Sequence, residues 1–177
     1  MMVRAQRHPP VMAYIGLGSN LADPHAQVLR ALDELALMPG CTLCFRSSLY
    51  ATAPVGPVAQ PPFVNAAASI ATTLTPPALL AALQAIEHAH GRVRDGVRWG
   101  PRSLDLDLLV FGELTLHTPD LVLPHPEIAH RAFVLVPLAE IAPSRLLIPG
   151  QGLLVDLVAA LDGLQDVQLI PDQAGPP

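Results

Sequence analysis

The stretch SLDLDLLVF, residues 103–111, decides how the rest of the chain is read. Its side chains alternate between apolar and acidic, and in a strand successive side chains point to opposite faces. Leu104, Leu106 and Leu108 then turn into a core, while Asp105 and Asp107 project together from the other face. Aspartate is disfavoured in strands, so two in one strand call for a reason. One reason is Mg²⁺, which prefers oxygen ligands and in phosphate chemistry is often held by one or two carboxylates plus substrate phosphates. The plainer alternative is an exposed sheet face on which the aspartates pair with nearby arginines.

The residues just upstream bear on that choice. GRVRDGVRWGPR, residues 91–102, places Arg92, Arg94, Arg98 and Arg102 within eleven positions. The whole 177-residue chain holds ten basic residues, all of them arginine, and its formal charge is −5. That balance argues against general nucleic-acid binding, which needs a broad basic face. Positive charge gathered in one loop suits a small, highly charged anion, because guanidinium groups bind phosphate oxygens bidentately and stay charged. Taken alone, the loop reads equally well as a solvated surface segment with weak ion pairs. Loop and D-x-D together favour a nucleotide-phosphate site. No GxxxxGK[ST] occurs, and GLGSNL (16–21) departs from a dinucleotide fingerprint at Leu21, so neither a P-loop nor a Rossmann enzyme is indicated. Gly16 and Gly18 are expected instead to give a tight strand-to-helix turn.

Working outward, VMAYIGLGS (11–19) reads as a buried strand. Asp23 and Pro24 look like a helix N-cap and first helical residue. Val28, Leu29, Leu32, Leu35 and Ala36 follow at helical spacing until Pro39-Gly40. CTLCFRSSLY (41–50) reads as a strand, 51–62 as a proline-rich loop and FVNAAASIATT (63–73) as a strand. Thr75 and Pro76 start a second helix, with Leu79, Leu80, Leu83 and Ile86 on one face, ending near Gly91. This order predicts an α/β (α+β) protein with a ferredoxin-like βαββαβ core: an antiparallel four-stranded sheet with two helices on one face. Residues 113–170 read as C-terminal additions, namely a short hairpin, small helices and a last strand. One domain is expected over 11–170, with 1–10 and 171–177 as flexible termini. No apolar run approaches the ~18–20 residues that span a bilayer. The N-terminus has no continuous apolar signal core, so a cytoplasmic location is expected.

Three further features carry less weight. Phe63 and Asn65 form another i, i+2 pair; Phe63 could stack on a flat ring while Asn65 offers a donor and an acceptor to its edge. From these two residues alone, a core phenylalanine and a turn asparagine are favoured. His125, in LPHPEIAHRAF, is isolated, and such histidines are more often structural than catalytic. Cys41 and Cys44 form a CxxC without a second ligand pair for zinc, and they read as ordinary reduced thiols.

Four segments, in this order, carry a resemblance: AYIGLGSNL, SSLYATAPVGPVAQPPFVNAA, GRVRDGVRWGPRSLDLDLLVFG and LPHPEIAHRAFVLVPLAEIAP. Over residues 11–150 the chain resembles the 6-hydroxymethyl-7,8-dihydropterin pyrophosphokinases of folate biosynthesis, and RWGPR-x-LDLDLL is the most specific part. The resemblance implies a monomeric enzyme that uses ATP and two Mg²⁺ ions. It would transfer a diphosphate from ATP to the hydroxymethyl group of the pterin and release AMP. By position, Asp105 and Asp107 would hold both ions, and Arg92 and Arg102 would bind the phosphates and assist transfer. Gln84, Glu87, Arg94, Arg98, Trp99, Leu108, His125 and Arg131 would line the ATP site. Thr52, Val55, Phe63, Asn65 and Phe133 would form the pterin site, the two phenylalanines sandwiching the ring. The loops at 51–62 and 91–102 are expected to close over the substrates and exclude water.

Some positions depart from the family pattern. Ala53 stands where proline is familiar and Phe63 where tyrosine is. Pro126, Asp120 and Val122 also differ, and a carboxylate at 120 should not help bind a triphosphate. Two other classes remain as alternatives. A non-catalytic nucleotide-binding module on the same fold would not need two metal-binding carboxylates. An RNA-binding module would want aromatics on its central strands.

Overall fold

The alternation in 103–111 becomes strand β5 (Asp105–Phe111), and its leucines do face a core. The structure is a computed structural model that describes residues 9–54, 56, 59–91, 101–162 and 166–171. Most of the expected flexible termini, most of the expected lid loop at 91–102, a small part of that at 51–62, and with them Val55, Arg92, Arg94, Arg98 and Trp99 lie outside the described residues.

β5 pairs with β1 (Val11–Ser19), and β1 pairs on its other side with β4 (Phe63–Thr72). The outer edge of β4 is shared by β2 (Cys41–Arg46) and β3 (Tyr50–Thr52), and β10 (Val167–Leu169) pairs with β3. All of these pairings are antiparallel. Between β1 and β2 runs α1 (Pro24–Ala36), and between β4 and β5 runs α2 (Pro76–Ala89). The expected βαββαβ order is therefore present, with β1 and β4 at the centre of the sheet.

Local chemistry explains the boundaries. Asp23 caps α1 by accepting from Ala26 N, and Thr75 caps α2 by accepting from Ala78 N. Each helix has proline in its first turn, where a missing N–H costs nothing. The single strand expected over 41–50 is instead two. β2 bulges between Leu43 and Phe45, and at the break Ser47 holds Ala67 with its own N–H and with its hydroxyl. A side-chain oxygen there takes the acceptor place of a carbonyl, which ends the regular ladder. In α1, Val28, Ala31, Leu32 and Leu35 are buried, whereas Leu29 and Ala36 are exposed. The burial stripe is thus centred one position away from the expected one.

Helices α1 and α2 cover one face of the sheet over a core that includes Ile15, Leu32, Ile70, Leu83 and Leu106. The opposite face is also covered. After a hairpin of β6 (Leu116–His117) and β7 (Val122–Leu123), α3 (Ala132–Ile141) lies across it. A second hairpin, β8 (Leu147–Ile148) and β9 (Gly152–Leu153), leads to α4 (Leu154–Ala159), which packs on α3. Tyr14, Ala67, Leu109, Leu135 and Leu138 form this second core. It fills only part of the face, and the remainder is a cavity.

Candidate active site

Three strands lay down the bed of this cavity in register. Gly18 pairs with Asn65 on one side and Asp105 on the other, and Gly16 pairs with Ala67 and Asp107. Residues 16 and 18 share a face with residues 105 and 107, so each carboxylate stands beside a position with no side chain. A Cβ added at Gly18 would lie 3.2 Å from Asn65 Oδ1. Both glycines are strand residues, and neither has a positive φ. The expectation that they form the strand-to-helix turn is therefore corrected: Ala22 and Asp23, both at positive φ, make that turn. The glycines keep the middle of the sheet low.

The cavity is lined by Thr52, Phe63, Asn65, Arg102, Asp105, Asp107, Arg131 and Phe133 among the expected residues. Gly16, Gly18, Ala53 and Gln60 line it as well. Asn65 is neither in a turn nor in the apolar core. It is buried in β4, and its Nδ2 donates to Thr52 Oγ1 at 2.7 Å. That bond uses the hydroxyl as acceptor and leaves its O–H to donate.

Charge is arranged by contact. The Arg102 guanidinium hydrogen-bonds the Asp105 carboxylate. Asp107 has its pKa raised to about 7, first by burial, then by the Asp105 carboxylate and by Glu87; Arg131 and Arg102 act in the opposite direction. Two carboxylates held this close disfavour joint ionisation unless a cation accompanies them.

Loops meet at Asn20. Its backbone N donates to Arg102 O at 3.0 Å, its Oδ1 accepts from Arg102 N at 2.8 Å, and its Nδ2 donates to Gln60 Oε1 at 2.9 Å and to Pro61 O at 3.0 Å. Buried to 1% exposure, it ties the segment before β5 to the segment before β4. Its role and that of Gln60 were not expected, since the partners lie 40 and 82 positions apart.

His125 N donates to Leu109 O at 2.8 Å, and its Nδ1 accepts from Glu127 N at 3.2 Å. With Nδ1 accepting, a neutral ring carries its proton on Nε2. Burial and then Arg131 lower its pKa, which favours that neutral form. Arg131 lies over the Phe133 ring, 5.7 Å from its centroid.

Other expected residues fall elsewhere. Leu108 belongs to the apolar core under α1 and α2. Glu87 is buried, and its carboxylate accepts from Leu106 N at 2.8 Å. Gln84 is exposed on α2, and Asp120 is exposed between β6 and β7, away from the cavity lining. Cys41 and Cys44 are free thiols, and no group of three or more metal-binding His, Cys, Asp or Glu side chains occurs among the described residues.

Comparison with known proteins is consistent with this geometry. Residues 14–143 match the family model described as 7,8-dihydro-6-hydroxymethylpterin-pyrophosphokinase. The chain is 52% identical over 147 residues to the 2-amino-4-hydroxy-6-hydroxymethyldihydropteridine pyrophosphokinase of Pseudomonas aeruginosa, covering 83% of this chain and 90% of that one. It is 42% identical over 161 residues to the protein of the same name from Haemophilus influenzae, covering 91% and 99% respectively. Among solved structures, Plasmodium falciparum HPPK-DHPS wild type with SDX-DHP superposes with a TM-score of 0.68 at 14% identity. That match covers 88% of this chain and 45% of the other, so the chain spans less than half of that protein and the likeness is one of fold.

Proposed function

The chain belongs to the 7,8-dihydro-6-hydroxymethylpterin-pyrophosphokinase family, and on that premise we propose how its residues divide the work of the reaction. The enzyme transfers a diphosphate from ATP to the hydroxymethyl group of 6-hydroxymethyl-7,8-dihydropterin, releasing AMP, in folate biosynthesis. The observation that carries the residue assignment is the row Asn65–Gly18–Asp105. It sets a hydrogen-bonding edge and a carboxylate on either side of an empty strand position.

In this reading Phe63 and Phe133 hold the two faces of the pterin ring. The Thr52 O–H and Asn65 Oδ1 address its edge as donor and acceptor. The acidic pair fits Mg²⁺: the two carboxylates share one face, and a cation beside them offsets the cost of ionising Asp107, which burial and Asp105 raise. Asp105 and Asp107, as oxygen ligands, would hold two Mg²⁺ ions. Bound there, the ions would neutralise phosphate charge and make the pterin hydroxyl a better nucleophile.

Arg102 keeps Asp105 oriented and presents its remaining donors to the phosphates. Neutral His125, with Nδ1 tied to Glu127, donates from Nε2 to a phosphate oxygen. Arg131 adds a fixed positive charge on the α3 side. Arg92, Arg94, Arg98 and Trp99 are assigned to ATP, with Arg92 also assisting transfer, and Val55 to pterin; Gln84, Glu87 and Leu108 lie outside the cavity lining and keep no part in this division. The attack is in line on the β-phosphorus, and such transfer relies on positioning and electrostatic stabilisation. No side chain is assigned as general base. We read the enzyme as a single-domain cytoplasmic monomer spanning 11–170; among the described residues no helix is long and apolar enough to cross a membrane.

The test is to mix protein, ATP, Mg²⁺ and the hydroxymethyl pterin and to separate the nucleotides. AMP formed one-for-one with diphosphorylated pterin, and lost in Asp105→Ala, supports the assignment. ADP would replace diphosphate transfer by ordinary phosphoryl transfer. Full activity in Asp105→Ala would remove the metal assignment.

A further inference from the structure

One exposed carboxylate outside the cavity lining accepts hydrogen bonds from three donors. Glu140, in the last turn of α3, accepts from Ser48 N with both oxygens, each at 3.0 Å. Its Oε1 also accepts from Ser48 Oγ at 2.8 Å, and its Oε2 accepts from Tyr50 O–H at 2.8 Å. Burial, followed by the Glu140 carboxylate itself, pushes the Tyr50 pKa up to about 12, so the phenol remains a donor.

The two partner elements run alongside each other. Glu140 and Phe133 are seven residues apart on α3, which is two turns. They therefore lie on one stripe of the helix, about 10.5 Å apart along its axis. On the sheet, Tyr50 and Thr52 share a face, and Thr52 pairs in register with Phe63. Phe133, Thr52 and Phe63 all line the cavity. The helix thus meets the β3 edge at two levels: Glu140 against Ser48 and Tyr50, and Phe133 across from Thr52 and Phe63.

Between those levels the contact is apolar. Val134, Leu135 and Leu138 rest over Ala67 and Leu109, and Ser69 Oγ lies buried without a partner on the same strand as Ala67. Apolar contact is non-directional. It keeps a helix on a sheet without fixing its position along the axis. Directional bonds to Tyr50 of β3 and to Ser48 just before it supply that constraint.

We propose that Glu140 is a positioning residue for the pterin slot: by locking α3 to Ser48 and Tyr50, it sets where Phe133 stands relative to Phe63 and Thr52. The inference rests on the reading of Phe63 and Phe133 as the faces of that slot. Loss of the lock lets α3 shift, which widens or skews the slot while the carboxylates on β5 stay in place.

The experiment titrates fluorescent 6-hydroxymethylpterin and, separately, a non-hydrolysable MgATP analogue into Glu140→Ala, Glu140→Gln and Phe133→Ala. In Glu140→Ala the pterin Kd should rise about tenfold, the scale expected of a displaced contact. MgATP affinity should stay within about twofold and kcat at saturating pterin within about threefold. Glu140→Gln keeps an acceptor for Ser48 and should recover most of the pterin affinity. An unchanged pterin Kd in folded Glu140→Ala overturns the proposal. So does an equal weakening of both ligands, which would mark a merely structural residue. If Glu140→Ala does not fold, Tyr50→Phe combined with Ser48→Ala removes the side-chain donors and keeps the Ser48 N–H bonds; the pterin Kd should then rise in the same direction by a smaller factor with MgATP affinity unchanged, and an unchanged pterin Kd overturns the proposal. Normal pterin affinity in Phe133→Ala would sink the slot reading itself, and Glu140's role with it.

Discussion

The two faces of the sheet are written by the same strands and do opposite things. Beneath α1 and α2, alternate residues of β1, β4 and β5 are apolar and closely covered. On the other face the intervening residues include Gly16, Gly18, Asn65, Asp105 and Asp107, and α3 and α4 cover only part of them. One face holds the fold together, and the other gathers groups that a stable sheet would avoid. Placing both on one strand makes the site rigid, because the carboxylates cannot move without moving the leucines between them.

This contrast can be broken from the site side first. Asp107→Asn should lower Mg²⁺-dependent turnover by roughly 10³-fold or more, the scale of removing charge stabilisation at a metal-assisted centre. The same change should raise metal-free stability by about 1–3 kcal/mol, because it removes a buried like-charge interaction. A melting curve beside the rate assay checks both; a variant that is both inactive and less stable would refute the division between faces. From the other side, Leu106→Ala should cost about 2–5 kcal/mol of stability. Its KM values should remain near those of the parent when assayed well below its melting temperature.

Smaller effects sharpen the comparison. Gly18→Ala puts a methyl group 3.2 Å from Asn65 Oδ1 and should weaken pterin binding about tenfold with little change in melting temperature. Titration of Asp107 gives the last test. Its folded pKa, about 7, lies above the ordinary carboxylate value of 3.8, so between these limits the folded state holds the extra proton. Metal-free stability should therefore fall as pH rises through that window and level off above it. Urea midpoints measured in chelator from pH 4 to 8 should show this slope in the parent protein and lose it in Asp107→Asn.

The parts legible in the sequence were those with a short period. Alternation in 103–111 placed Leu104, Leu106, Asp105 and Asp107 correctly, and proline after Asp23 and Thr75 located both helix starts. The second covered face was not legible as such. α3 is apolar on most sides and carries Pro137, so its pattern does not say what it covers. Gly16 and Gly18 were misread because a glycine's part depends on which side chains flank it across the sheet. Glu87 hides on an otherwise apolar helix face, where its carboxylate serves Leu106 N. The Asn20 and Glu140 networks join residues tens of positions apart, and no local pattern encodes such partners.

The irregularity in the β1–β5 pairing has a consequence for how this strand can change. Ile15 faces Leu108 and Tyr14 faces Val110, so Leu109 is an extra count in the ladder. Before it, odd-numbered residues of β5 meet the cavity; after it, parity inverts, and Val110 joins Leu109 in the second core while Phe111 joins the first. The strand thus contains its own frameshift, and the Leu109 carbonyl receives the His125 N–H. A one-residue insertion or deletion upstream of 109 would exchange aspartates for leucines on both faces. The same event at 109 would leave the acidic pair in phase and fall on the anchorage of His125. Length variation in β5 is therefore confined to a single position, where its effect would pass to the His125 anchorage and leave Asp105 and Asp107 in frame.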